Sequence, residues 1–266
     1  MQEQLMEKIM EEVMKKVKET KINEENTEEN SITIENKECG ITEFVGTAIG
    51  DTIGLVIANV DYNLHEFMKL DKKFRSIGII GGRTGAGPQI MAADEAVKAT
   101  NTEIIAIELP RDTKGGAGHG SLIIFGAEDV SDARRAVEVA LDELGRTFGD
   151  VYANEAGHLE FQYTARASYA CNKAFKAPIG KAFGLIVGAP AAIGVLMADT
   201  AVKAANVEVI GYASPGNGTS FTNEAILFIS GDSGAVRQSL IAAREIGKPL
   251  LEALGGKAPS LTQPYI

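Results

Sequence analysis

The chain has no tryptophan, two cysteines and three histidines, and only 6% of its 266 residues are aromatic. A core without large rings must be filled by Val, Ile, Leu and Ala in closely packed elements, which suits sheets and flat contacts. Cys39 and Cys171 lie far apart, with no CxxC spacing and no neighbouring histidine. Neither a zinc site nor a local redox pair is therefore expected, and both read as reduced thiols. Basic charge is in deficit, with a net charge of −10, which argues against nucleic acid as a partner because phosphates demand a Lys/Arg surplus. No stretch approaches the roughly 18 apolar residues needed to cross a bilayer, and the first residues lack the basic start and apolar run of a signal peptide. The expectation is a cytoplasmic protein without a membrane partner.

The usual signatures of catalysis are missing as well. GGRTGAG (81–87) and GGAGHG (115–120) superficially resemble phosphate loops, but neither fits GxxxxGK[ST] or GxGxxG after a first strand. His65, His119 and His158 are scattered, none at triad or metal spacing, and read as surface or turn residues. Cys171 reads as a small packed residue. Asp94 and Asp199 read as helix-dipole partners near a helix start, not as catalytic acids. No catalytic residue, metal or cofactor is expected.

What is present is an apolar fraction of 45%, enough to bury either one large core or two of ordinary size. Residues 1–38 carry 11 acidic and 6 basic side chains, a charge of −5, so half of the net charge lies in this short segment. Within it Leu5, Met6, Ile9, Met10, Val13, Met14 and Val17 fall on one helical face, which predicts an amphipathic helix over residues 1–19. Such a helix is marginal alone and needs its apolar face packed, either back on its own domain or, as its three methionines favour, on a partner. Residues 20–38, rich in Asn, Glu and Thr, predict a flexible linker.

Sliding the sequence on itself by 105 residues exposes a repeat. Ala93–Ile107 (ADEAVKATNTEIIAI) and Ala198–Tyr212 (ADTAVKAANVEVIGY) are identical at nine of fifteen positions. GIIGG (78–82) pairs with GLIVG (184–188), and LIIFGAEDVSDARRAV (122–137) with AILFISGDSGAVRQSL (225–240). Each copy reads as strand, helix, strand, Gly-rich loop, strand, and a helix starting near Asp129 or Asp232; a further strand and short helix precede each copy, at 52–70 and 159–175. That order predicts an α+β fold of two tandem ferredoxin-like units with helices on an antiparallel sheet. The predicted organisation is a first domain at 39–150, a second at 151–258 and a short tail at 259–266.

The doubled string A-D-x-A-V-K-A-x-N, with the strand, Gly-rich loop and strand that follow, resembles the bacterial microcompartment shell domain. The strand and short helix placed before each core are similar to the circularly permuted tandem type, as in the shell proteins of propanediol and ethanol utilisation. The likeness runs from about residue 39 to residue 266. It implies a pseudohexameric homotrimer, not an enzyme, which tiles a microcompartment shell beside other shell proteins. It further implies that Lys98, Asn101, Lys203 and Asn206 lie at lateral tile contacts. The loops between the second and third strands, Glu108–Ser121 and Ala213–Asn223, would line a pore for a small polar metabolite such as a diol, glycerol or a short alcohol or aldehyde. The pore residues so implied are Asp112, Thr113, Lys114, Gly115, Gly116 and His119 in the first loop, and Ser214, Asn217, Gly218, Thr219 and Ser220 in the second. The N-terminal helix would tether enclosed enzymes or neighbouring shell components. The rival reading is a regulatory trimer whose ferredoxin-like domains bind a small molecule at subunit clefts.

Overall fold

The computed structural model describes residues 39–111 and 119–266; the N-terminal helix and linker expected over 1–38 lie outside the described residues. The first half runs β1 (Phe44–Ala48), β2 (Thr52–Ile57), α1 (Tyr62–Phe67), β3 (Ser76–Gly82), α2 (Ala86–Ala99), β4 (Glu103–Glu108), β5 (Ser121–Ala127) and α3 (Val130–Thr147). The second half repeats this order as β6 (Val151–Asn154), β7 (Gly157–Thr164), α4 (Tyr169–Phe175), β8 (Ala182–Ala189), α5 (Ala191–Ala204), β9 (Val207–Ala213), β10 (Ala225–Gly231) and α6 (Ser233–Gly255). Each half forms one five-stranded antiparallel sheet, ordered β1-β2-β3-β5-β4 in the first and β6-β7-β8-β10-β9 in the second. The repeat and the α+β class read from the sequence are both present. The short strands β1 and β6, which open each half as hairpin partners, were not legible in the periodicity.

The two long helices begin where the sequence placed them. Asp129 caps α3 by accepting from the Ser131 amide, and Asp232 caps α6 by accepting from Gly234 and Ala235. Along α3 the buried residues Ala133, Ala136, Val137, Ala140, Leu141 and Leu144 recur every three or four positions and lie over β2 and β3. Small residues on both surfaces bring helix and sheet close together. A Cβ at Gly78 of β3 would stand 2.7 Å from the Ala133 carbonyl oxygen, so glycine is required for that approach. A chain short of aromatics thus fills its core by proximity rather than by bulk.

The halves are joined at Asp150, whose side chain is fully buried. Its Oδ1 pairs with Arg244 at 2.6 Å, and its Oδ2 accepts from the backbone amides of Tyr265 at 2.8 Å and Ile266 at 3.0 Å. The Tyr265 hydroxyl bonds Gln162 and Tyr163, where burial pushes its pKa well up. Residues 259–266 are therefore tied to the second half by a buried, fully bonded carboxylate rather than left loose.

Candidate functional site

Two features stand out, and the repeat generates both. The first is a seam between the halves, built on the string that led to the duplication. Asp94 is the ninth residue of α2 and fully buried. Its carboxylate accepts from the Ser168 amide at 3.0 and 3.1 Å and from the Cys171 amide at 3.0 Å, while Lys98 Nζ pairs with it at 3.0 Å. Ser168 makes no side-chain cap of its own, so the first turn of α4 is capped by an aspartate from the other half of the chain. This corrects the reading of Asp94 as a partner of its own helix dipole: the acceptor serves a helix about seventy residues further along. Burial alone would pull the Lys98 ammonium's pKa down, but Asp94 and Glu95 beside it reverse that and leave it raised. Cys171 is fully buried against Met91, as a packed residue should be, and burial holds its thiol well above the ordinary range.

The second copy of the string has no such cover. Asp199 and Lys203 pair with each other at 2.6 Å on the surface, their side chains 53% and 72% exposed. The Lys98 side chain is 26% exposed and also reaches Thr164 Oγ1 at 3.4 Å. Asn101 and Asn206 are both exposed. The four residues implied at lateral contacts thus occupy equivalent places in the repeat, but Lys98 is paired with a buried aspartate at the seam and Lys203 with an exposed one on the surface.

The second feature is a cavity of about 1060 Å³ between the halves. Both Gly-rich loops reach it, Leu109 and His119 from the first and Gly218, Ser220 and Asn223 from the second. Asp112, Thr113, Lys114, Gly115 and Gly116 lie outside the described residues. Ser214 and Asn217 instead close a tight turn by exchanging backbone hydrogen bonds at 2.7 and 2.8 Å, and Thr219 is buried in bonds to Thr222. Of the loop residues named from the sequence, His119, Gly218 and Ser220 line the cavity; Ser214, Asn217 and Thr219 do not.

Five titratable side chains line this space, Glu155 at its edge and a cluster of His119, His158, Glu160 and Glu224. Glu224 lies between His119 Nδ1 at 3.5 Å and His158 Nε2 at 3.8 Å, and accepts from the Thr222 hydroxyl at 2.7 Å. Burial would raise the Glu224 carboxyl's pKa, but bonds from His119 and Thr222 and the nearby His158 outweigh it, and the group is held below its ordinary value. Burial lowers the pKa of His158 against the opposing pull of Glu224. Glu160 is buried on β7, and its Oε1 has no hydrogen-bond partner among the described residues. Burial pushes its carboxyl up to about 8, a bond from Gln162 opposing and the Glu224 charge adding, so at neutral pH it is chiefly a neutral acid with a proton to donate. A Cβ at Gly87 would stand 1.9 Å from Glu160 Oε1, so only glycine in the first turn of α2 leaves room for this carboxyl. The reading of all three histidines as surface or turn residues is corrected here: His119 and His158 belong to the cavity, and only His65 sits apart, bonded to the Phe74 carbonyl oxygen.

Comparison with known proteins is consistent across three kinds of match. The BMC domain model matches twice, at residues 76–156 and 182–257. A bacterial microcompartment shell protein PduB from Citrobacter freundii is 70% identical over 245 residues, covering 92% of this chain and 91% of that protein. The crystal structure of a trimeric bacterial microcompartment shell protein PduB superposes with a TM-score of 0.82 at 55% identity, over 85% of this chain and 100% of that one. The crystal structure of EtuB from Clostridium kluyveri superposes equally well, TM-score 0.82 at 60% identity, over 85% and 99%. The two PduB relatives are named as shell proteins and not as enzymes. Among the described residues, no group of His, Cys, Asp and Glu is placed to hold a metal, and no helix is long and apolar enough to cross a membrane.

Proposed function

Because the chain belongs to the BMC-domain family of bacterial microcompartment shell proteins, we propose that three copies close into a six-lobed tile and that small polar solutes cross it through the cavity inside each copy. The observation that carries this reading is the convergence of one Gly-rich loop from each half on that single cavity. Its polar groups are matched to a hydroxylated solute: the neutral Glu160 carboxyl donates, Glu224 accepts, and Ser220 and Asn223 do either. Such bonds are individually weak and exchangeable, and a passage needs sites that release what they bind. A diol, glycerol or a short alcohol or aldehyde is the solute class this chemistry suits. Diffraction from crystals soaked in glycerol should place the solute within hydrogen-bond distance of Glu160 or Glu224. Density confined to the outer surface would refute passage by this route.

Tiling itself is assigned to the rim bearing Lys98, Asn101, Lys203 and Asn206, with neighbouring tiles and other shell proteins as partners. Tethering of enclosed enzymes is assigned to residues 1–37, on the apolar face described above. One comparison tests both assignments. Shells carrying Lys98→Ala with Lys203→Ala should fail to form while the protein stays trimeric, and shells built from a chain lacking residues 1–37 should form but lose cargo. Electron microscopy of purified shells and their cargo content read the two outcomes. A regulatory trimer that merely binds a small molecule would be indifferent to the lysine pair.

A further inference from the structure

The cavity between the halves is rich in carboxyl groups and poor in positive charge. Among the described residues that line it, Glu155, Glu160 and Glu224 are acidic, His119 and His158 are the bases, and none is Lys or Arg. Glu224 is the group placed to carry a charge inside. Its side chain is 2% exposed, a burial that by itself favours the neutral acid. Three neighbours oppose that: the Thr222 hydroxyl donates to Oε1 at 2.7 Å, His119 Nδ1 lies 3.5 Å from Oε1, and His158 Nε2 lies 3.8 Å from Oε2. Together they hold the carboxyl below its ordinary value, so it is ionised at neutral pH.

The fold does not ask for this charge. Ala225 of β10 pairs with Gly188 as Ser121 of β5 pairs with Gly82, so Gly120 of the first half stands where Glu224 stands in the second. In the same register Ile53, paired with Gly81, stands for Glu160, paired with Val187. The first copy builds the same corner with neither carboxyl. The first turns of α2 and α5 also open on the cavity, at Gly85 and Pro190. A helix end carries only about half a positive charge, so the two offset one carboxylate at most and leave the balance with Glu224 and Glu155 negative.

We propose that Glu224 makes the cavity a charge filter, which admits neutral polar solutes and small cations and resists anions such as carboxylates and phosphate esters. The proposal rests on the reading that solutes enter this cavity, and adds which of them are turned back. An entering anion brings a second negative charge into a space screened from bulk water, where like charges repel several times more strongly than in solution. An alcohol and the carboxylate made by oxidising it would thus be sorted by charge, although they differ little in size.

The test places a thiol inside the cavity. Ala86 lines it and is replaced by Cys in a Cys39→Ala background, with the same background lacking Ala86→Cys giving the rate at the buried Cys171. Mass spectrometry follows modification by neutral methyl, cationic aminoethyl and anionic sulfonatoethyl methanethiosulfonate at about pH 7.5, above the ordinary histidine range. The ratio of cationic to anionic rates should exceed that of a free thiol in solution by about tenfold. Glu224→Gln should return the ratio to the free-thiol value, while Glu224→Asp, which keeps the charge, and Glu155→Gln, at the edge, should preserve it. A parent ratio equal to that of the free thiol overturns the proposal, as does a ratio that survives Glu224→Gln or vanishes with Glu155→Gln. If the neutral reagent itself fails to reach the introduced thiol, solutes do not enter and it is the reading of passage through the cavity that fails.

Discussion

Replacing Asp94 by Ala should destabilise the protein by about 3–5 kcal/mol, the loss typical when one partner of a buried, charge-bearing network is removed. The carboxylate satisfies the Ser168 and Cys171 amides and the Lys98 ammonium together, and it does so with no exposure to solvent. Asp199→Ala removes the same residue from the same string in the second half, where the pair is exposed, and should cost less than about 0.5 kcal/mol. Urea denaturation followed by circular dichroism at one protein concentration compares the two. A second readout is specific to the seam. Cys39 is exposed and Cys171 buried, so a thiol reagent should titrate one thiol in the native protein and a second, more slowly. With the cap on α4 gone, the second thiol should react markedly faster in Asp94→Ala and not in Asp199→Ala. Equal losses from both substitutions would show that the borrowed cap contributes nothing.

Replacing Glu160 by Gln should make stability less dependent on pH, by a stabilisation that grows towards alkaline conditions. The folded-state carboxyl titrates at about 8, well above the value near 4.5 of an unhindered glutamate. From roughly pH 4.5 upward the unfolded chain releases this proton while the folded chain keeps it, so the folded state loses about 1.4 kcal/mol per pH unit until pH passes about 8. Stability linked to this group is therefore whole below pH 4.5 and is lost as pH rises to 8. Gln has no proton to lose, so the variant should match the parent near pH 4.5 and exceed it by about 4 kcal/mol at pH 8. Melting temperatures measured across that range decide the matter. Parallel curves for parent and variant would mean that Glu160 is ionised in the folded protein at neutral pH.

The elements of the fold were readable because local rules agreed with one another. The repeated string, the aspartates ahead of α3 and α6, and the runs of β-branched residues each point to the same element, and the copies confirm each other. The cavity was harder to see. His158 and Glu160 come from β7 and Glu224 from just before β10, far apart in sequence within the second half, and His119, from beside β5 of the first half, joins them only through the packing of the two halves. Even on β7 the alternation that would mark Glu160 as unusual is absent, because Leu159, Glu160, Phe161 and Gln162 are all buried and neither face of the strand reads as polar. Asp94 was misread for a related reason. Its string looks alike in both copies, and the sequence of the string holds no sign that one copy is covered and the other bare. The loop beyond β9 shows the limit of composition: Ser, Asn, Gly and Thr suit a solute site and a tight turn equally, and Ser214 and Asn217 turned out to build the turn.

The borrowed cap has a kinetic side. Because Asp94 and the helix it serves belong to one polypeptide, their meeting is a first-order event whose rate is blind to dilution. Contacts between separate chains form by collision and slacken as the protein is diluted. A thinned solution would therefore shed whole two-part units with this seam still shut, and the least divisible piece of the assembly is the complete chain rather than either of its copies.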